Sequence, residues 1–232
     1  MKSDANTDVF KAQAANAALE LIHPQLRPTT IIGIGTGSTT NHFIDGLGKL
    51  QINIQGAVAS SIASAQRLQA FKIPVLDLND VLREGKTISF YIDGADESNA
   101  NLELIKGGGG ALTREKIIAQ ASENFICIAD ETKKVRTLGQ FPLPLEVIPM
   151  ASIFIQQIIR RELGVIATER VNFLTDNGNR ILDIAELTLA QPIELERYFN
   201  QLPGVVCNGI FAARPADRLI LAGVKGLEQI TR

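Results

Sequence analysis

The chain has 232 residues, 45% hydrophobic and 21% charged, with a formal net charge of −2. That is the balance of a globular protein with a sizeable core, and it gives no electrostatic reason to expect nucleic acid as a partner. Two cysteines, Cys127 and Cys207, each among apolar residues, argue against a disulfide framework and read as free thiols in a reducing cytoplasm. The opening residues lack the apolar core of a signal peptide, and the apolar runs fall well short of the ~18 residues needed to span a membrane. A cytoplasmic protein with no membrane partner is expected.

In chain order, an alanine-rich stretch from Ala12 to Leu21 predicts a helix, with Thr7 or Asp8 as its N-cap. Ile31 to Ile34 is a short buried strand that runs into Gly35-Thr36-Gly37-Ser38-Thr39, and a helix carrying Phe43, Ile44, Leu47 and Leu50 follows. The unit then repeats. Ala57 to Ala59 is a strand, Ile62 to Phe71 a helix, Thr87 to Ile92 a strand delivering Asp93, and Phe125 to Ala129 a strand delivering Asp130. Strands alternating with helices predict an α/β fold, a Rossmann-like open parallel sheet flanked by helices, which binds ligands beyond the carboxyl ends of its strands. At Phe141-Pro142-Leu143-Pro144-Leu145 a proline-marked linker is expected. Beyond it a helix from Ala151 to Leu163, strands near Thr168 to Asn172 and Ile181 to Ile184, a helix near Ile193 to Phe199 and a strand at Gly204 to Cys207 follow. Their order is that of a smaller α+β ferredoxin-like, split βαβ domain. The domains expected are thus residues 1–138 plus 208–232, with Leu219 to Val224 returning to the larger sheet, and residues 139–207.

Three constellations carry chemistry. The loop Gly33-Ile34-Gly35-Thr36-Gly37-Ser38-Thr39-Thr40 fails as a dinucleotide fingerprint and as a Walker A loop. Its glycines, hydroxyls and following helix start nonetheless suit a phosphate; the plainer alternative is a turn capped by Ser38 or Thr39. Asp93-Gly94-Ala95-Asp96-Glu97 puts three carboxylates on a turn. Magnesium would fit such a turn in principle, but catalytic carboxylates are the stronger reading, with no metal expected. The histidines His23 and His42 lie outside these motifs, which argues against zinc or iron. The third, Lys106-Gly107-Gly108-Gly109-Gly110, leads into Glu115 at a helix start. Four glycines in a row are costly to order, so among charged groups they point to close approach of backbone to a small polar ligand. Glu115 either faces a ligand pocket or is a first-turn glutamate favoured by the helix dipole.

These motifs resemble those of the type A ribose-5-phosphate isomerase family. The resemblance continues through Ile128-Ala129-Asp130-Glu131-Thr132-Lys133, the segment from Phe141 to Pro149, Thr175-Asp176-Asn177-Gly178-Asn179 and Leu202-Pro203-Gly204-Val205-Val206, and so covers nearly the whole chain. Gly110 stands where alanine is frequent in the family, and Asn16 where an aromatic can occur. The resemblance implies an aldose–ketose isomerase of the non-oxidative pentose phosphate pathway, acting on a small sugar phosphate without a cofactor and assembling as a homodimer or homotetramer. It implies Glu115 as the general base and Asp93 as the group that assists ring opening. Asp96 and Lys106 would bind sugar hydroxyls and carbonyl, with Lys106 stabilising the enediolate. Thr36, Gly37, Ser38, Thr39 and Lys133, with Lys11, would hold the phosphate or its neighbours, and Gly94, Ala95, Gly107, Gly108 and Gly109 would line the substrate. The rival readings are a non-catalytic sugar-phosphate sensor and a related enzyme such as an amino-sugar phosphate deaminase or an acyl-CoA transferase, since fold alone does not fix function.

Overall fold

The computed structural model describes residues 2–232, with side chains from Asn6 onward. The first helix, α1 (Lys2–Ile22), already runs through Thr7 and Asp8, so neither is its cap. Both residues are tolerated inside a helix whose later turns are anchored by buried Ala14, Ala15, Ala18 and Ile22. Strand β1 (Ile31–Ile34) leads into α2 (Ser38–Lys49), whose buried face is Phe43, Ile44 and Leu47. Leu50 falls just past the last turn and is exposed. After β2 (Gly56–Ala59), the Ser61 hydroxyl caps α3 (Ile62–Ala70) by accepting from Ser64 N–H. A short α4 (Leu78–Arg83), capped by Asp77, is one that the apolar periodicity does not announce. There follow β3 (Ile88–Asp93), β4 (Glu97–Ser98), β5 (Leu104–Ile105), α5 (Leu112–Ala121) and β6 (Ser122–Asp130). The later chain supplies β7 (Leu143–Val147), α6 (Ser152–Leu163), β8 (Ala167–Glu169), β9 (Arg180–Ile184), α7 (Pro192–Asn200), β10 (Val205–Asn208), β11 (Ile210–Phe211), β12 (Arg218–Gly223) and β13 (Gly226–Thr231).

Two compact units divide these elements. The first comprises Met1–Gly94, Arg114–Lys133 and Ala216–Arg232; the second comprises Ala95–Thr113 and Lys134–Pro215. Residues 95–113 thus group with the second unit, because β4 and β5 pair with each other and with β11 rather than with the large sheet.

The first unit is built on a six-stranded sheet in the order β13-β12-β6-β3-β1-β2. Every neighbouring pair is parallel except the β12–β13 hairpin, and β12 does return to this sheet beside β6. One core cluster joins the alanines of α1 and the apolar face of α2 to Ile32, Ile34, Ile92, Ile126, Ile128 and Ile220 of the strands. Because the strands run in one direction, Gly35, Asp93 and Asp130 emerge at one edge.

The second unit holds a four-stranded antiparallel sheet, β10-β7-β9-β8, with helices inserted as β7-α6-β8-β9-α7-β10. This is the split βαβ arrangement. Its core gathers Leu143, Leu145, Val147, Ile155, Ile159, Leu182, Ile184 and Phe199. The segment expected to be a linker at Phe141–Leu145 is in fact the entrance to the central strand β7. Pro144 is accommodated there because its missing donor is not needed: its carbonyl accepts from Gly209 N–H at 2.8 Å, while the Gly209 carbonyl accepts from Lys106 N–H at 2.9 Å instead.

Glu146, on β7, is fully buried. Its carboxylate accepts from the hydroxyl of Thr175 at 2.8 Å, the side-chain amides of Asn177 and Asn179 at 3.0 and 2.8 Å, and the hydroxyl of Thr113. The Thr175–Asn179 motif is therefore more than a hairpin turn: its side chains solvate a buried anion that could not otherwise be kept out of water. Among the described residues, no helix is long and apolar enough to cross a membrane.

Candidate active site

In the first unit, Asp93 is the hub. Fully buried at the end of β3, it accepts on Oδ1 from Thr36 N–H at 3.0 Å, Gly94 N–H at 2.7 Å and the Thr40 hydroxyl at 3.3 Å. Its Oδ2 accepts from the Tyr91 phenol. One of these donors belongs to the loop after β1 and another to the first turn of α2, so the carboxylate fastens that junction to the neighbouring strand end. The close approach explains Gly35, where any Cβ would stand 1.8 Å from Asp93 Cγ.

The hydroxyls of the loop fall into two sets. Thr36 Oγ1 lies 2.7 Å from Ser60 Oγ, Thr40 turns inward to Asp93, and Ser64 Oγ donates to Gly35 O at 2.6 Å. These hold the turn. Gly37 is the N-cap of α2 and supplies no side-chain cap, and φ of +120° explains why it is glycine. Among the described residues neither Ser38 nor Thr39 caps the helix or bonds within the loop, so the plainer alternative of a turn capped by one of them is not what the structure shows, and Ser38 is exposed. The Ser38 and Thr39 hydroxyls are thus left uncommitted within the loop beside the first N–H groups of α2, an arrangement suited to an oxyanion.

Glu115 lies in the first turn of α5 and is only 3% exposed. Its charge reaches Tyr91: burial pushes that phenol well above its ordinary range, and the negative charges of Asp93 and Glu115 push it further. In the first unit the charges of Asp93 and Glu115 thus both bear on the buried Tyr91 phenol. Tyr91 escapes motif reading, although its position two residues before Asp93 puts the two side chains on one face of the strand.

The raised value has a consequence for stability. A neutral phenol that resists ionisation in the fold contributes stability that is complete below its unfolded value of about 10 and is lost as pH rises beyond it. Tyr91→Phe should flatten the alkaline fall of the unfolding midpoint, followed by thermal scans between roughly pH 8 and pH 11. Tyr198, lifted to about 12 by burial and by Glu162, acts equally in both proteins. An unchanged alkaline slope in the variant would show that Tyr91 carries no such linkage.

Lys133 sits on a half-exposed single turn after β6, and Lys11 is half-exposed on α1. Asp130 is buried at the end of β6, where its Oδ1 accepts from Thr132 N–H at 3.1 Å and from the Thr132 hydroxyl. Its Oδ2 has no hydrogen-bond partner among the described residues.

In the second unit, Asp96 accepts on Oδ2 from Gly108 N–H at 2.7 Å, which folds the glycine run back onto the acidic turn beginning at Ala95. Lys106 is 2% exposed, with Nζ 5.5 Å from the centre of the Phe211 ring. Its backbone N–H donates to Gly209 O at 2.9 Å, which ties the start of the run to the β11 side. Gly107 is buried, while Gly108 and Gly109 are exposed. At Gly110, φ is +76° and a Cβ would meet the Phe173 ring at 2.3 Å, so the alanine frequent in the family would need both a left-handed backbone and a shift of that ring. The third carboxylate of the acidic turn, Glu97, is structural. It is buried and accepts from Gly139 N–H at 2.7 Å and from Phe141 N–H. Among the described residues, no group of three or more His, Cys, Asp or Glu side chains is placed to hold a metal ion.

Comparison with known proteins gives a consistent result. The family described as ribose 5-phosphate isomerase A (phosphoriboisomerase A) matches residues 56–226. The chain is 44% identical to ribose 5-phosphate isomerase A from Neisseria gonorrhoeae, whose crystal structure superposes with a TM-score of 0.90 over 97% of each chain. It is 36% identical to a D-ribose-5-phosphate isomerase solved in complex with phospho-erythronic acid, with a TM-score of 0.90 over 98% of this chain and 100% of that one. Identity to the enzyme from Methanocaldococcus jannaschii is 33%, with a TM-score of 0.86 over 96% of this chain and 98% of that one. The likeness thus extends in sequence and in fold over almost the entire length, and the chain belongs to the ribose 5-phosphate isomerase A family.

Proposed function

We infer that this protein interconverts D-ribose 5-phosphate and D-ribulose 5-phosphate through an enediolate. The observation that carries the reading is Glu115, a nearly fully buried carboxylate in the same unit as a turn whose Ser38 and Thr39 hydroxyls neither cap the helix nor bond within the loop. A base shielded from water and an oxyanion cradle are the parts that proton transfer on a phosphorylated sugar requires. The relative that binds phospho-erythronic acid, a phosphorylated sugar acid, supports the same substrate class.

In this reading Asp93 assists opening of the furanose by proton transfer at the ring oxygen. Glu115 then takes the proton from C2 of the open-chain aldose. The C2–H electron pair forms the C1–C2 double bond, and the carbonyl electrons move to O1. Lys106 balances the charge that develops on the oxygens, and Asp96 binds the sugar hydroxyls. Glu115 returns its proton to C1 while the proton on O2 passes to O1, leaving the ketone at C2. No electron leaves the sugar, so the reaction needs no redox cofactor. Gly37, Ser38 and Thr39 hold the phosphate on the turn that Thr36 fixes, with Lys133 and Lys11 adding positive charge. The backbone at Gly94, Ala95 and Gly107 to Gly109 approaches the substrate. A phosphate fixed far from C1 and C2 orients the reacting carbons.

A cytoplasmic place in the pentose phosphate pathway accords with this substrate. A homodimer or homotetramer is supported by exposed Met150, in the turn before α6, and exposed Ile153 and Phe154 in its first turn.

The direct test follows ribulose 5-phosphate formation from ribose 5-phosphate; absence of turnover would overturn the reading. The cradle is tested by replacing Ser38 and Thr39 together with alanine. Losing two hydroxyl contacts to a charged phosphate should raise KM by about tenfold or more. An unchanged KM would reduce the loop to a turn.

A further inference from the structure

Arg170 follows β8 and has no part in the roles assigned above. Its guanidinium makes four hydrogen bonds within the second unit. Nε and Nη2 donate to Asp183 Oδ2 and Oδ1 at 2.6 and 2.7 Å, a two-pronged pair with both side chains largely buried. The two terminal nitrogens then reach the glycine run: Nη1 donates to Gly108 O at 2.9 Å and Nη2 to Gly107 O at 3.2 Å.

The second of these contacts bears on Asp96. Gly107 C=O and Gly108 N–H belong to one peptide group. Arg170 holds the carbonyl edge of that peptide, and the amide edge donates to Asp96 Oδ2 at 2.7 Å. A cation on the carbonyl polarises the peptide and strengthens its N–H as a donor. The run is thus fixed from its outer side by a planar fork 62 residues away, itself aimed by Asp183 and lying 5.5 Å from the Phe173 ring. A run of glycines has much backbone freedom to lose, so such a fastening matters more here than on an ordinary loop.

We propose that Arg170, aimed by Asp183, is a positioning residue for catalysis, which sets the Gly107–Gly108 peptide and through it the Asp96 carboxylate for the sugar. The proposal rests on the reading of Asp96 and the glycine run as substrate-binding. Lysine cannot replace it, since an ammonium offers no flat fork to span a carboxylate and two carbonyls at once.

The test measures steady-state isomerisation by Arg170→Ala, Arg170→Lys and Asp183→Asn, with inhibition by inorganic phosphate and by phospho-erythronic acid. Expected is a fall in kcat/KM of about tenfold to a hundredfold in both arginine variants, as for a misplaced active-site group. Inhibition by inorganic phosphate should stay unchanged while that by phospho-erythronic acid weakens in parallel with kcat/KM. Added guanidinium at millimolar concentration should restore turnover to Arg170→Ala and leave Arg170→Lys unimproved, a rescue that merely structural damage would not show. Asp183→Asn, which keeps the shape and the guanidinium, should lose activity in the same direction by a smaller factor, and it carries the test if the arginine variants fail to fold. Kinetics within twofold of wild type in the soluble variants would overturn the clamp while leaving the isomerase reading intact. Inactivity of the wild-type protein on ribose 5-phosphate would remove the reading and the clamp together.

Discussion

Replacing Glu115 by glutamine should leave a folded protein that turns over at least ~10²-fold more slowly, the usual consequence of losing a general base. Glutamine has the shape of glutamate and can still accept and donate hydrogen bonds, but it cannot take the C2 proton. The site is well suited to a clean result, because Glu115 is nearly fully buried in the first turn of α5, where the neutral amide fills the same space. Removing its charge also removes one of the carboxylates that raise the Tyr91 phenol. The decisive measurement pairs kcat with exchange of the C2 hydrogen of ribose 5-phosphate into solvent. Both should collapse together while inhibition by inorganic phosphate persists. Turnover near that of wild type would end the assignment of Glu115 as base.

The second large effect is expected at Lys106. Its role is to balance charge that appears only as the enediolate forms, so Lys106→Met should lower kcat by roughly 10²–10³, as for other removed oxyanion partners. Methionine keeps the apolar stem packed beside Phe211, and the backbone bond from residue 106 to Gly209 O is independent of the side chain. Substrate affinity should change less than turnover, since the ground-state carbonyl carries little charge. A higher KM with unaltered kcat would instead make Lys106 a group that binds substrate and transition state equally, and the proposed role would be lost.

The larger sheet is legible in the sequence because parallel, doubly covered strands are short apolar runs, and Ile31–Ile34, Gly56–Ala59 and the Phe125–Ala129 part of β6 are such runs. Their shared direction is enough to place Asp93 and the Thr36–Thr39 loop at one edge. The features that sequence pattern hides depend on partners distant in the chain. Prolines at 142 and 144 suggest a linker, yet β7 is a central strand because β9 and β10, arriving much later, flank it. Strands of two residues such as β4, β5 and β11 have no periodicity to detect. Glu97 stands in a motif with two proposed catalytic carboxylates, and only its bonds to Gly139 and Phe141 separate it from them. Arg170 has the pattern of a surface charge beside β8, and its fork reaches across 62 and 63 positions to the glycines.

The turn that solvates Glu146 contains Asn177 followed by Gly178, the dipeptide most prone to slow loss of its side-chain amide in proteins. That decay needs the Gly178 nitrogen to attack the Asn177 side chain. Here the Gly178 N–H donates to Thr175 O at 2.9 Å and the Asn177 amide donates to Glu146 at 3.0 Å, so each reactant is engaged elsewhere. Were the amide lost, a second carboxylate would face the buried Glu146 in place of a donor. The turn that keeps an anion inside the small unit therefore also governs how the protein ages.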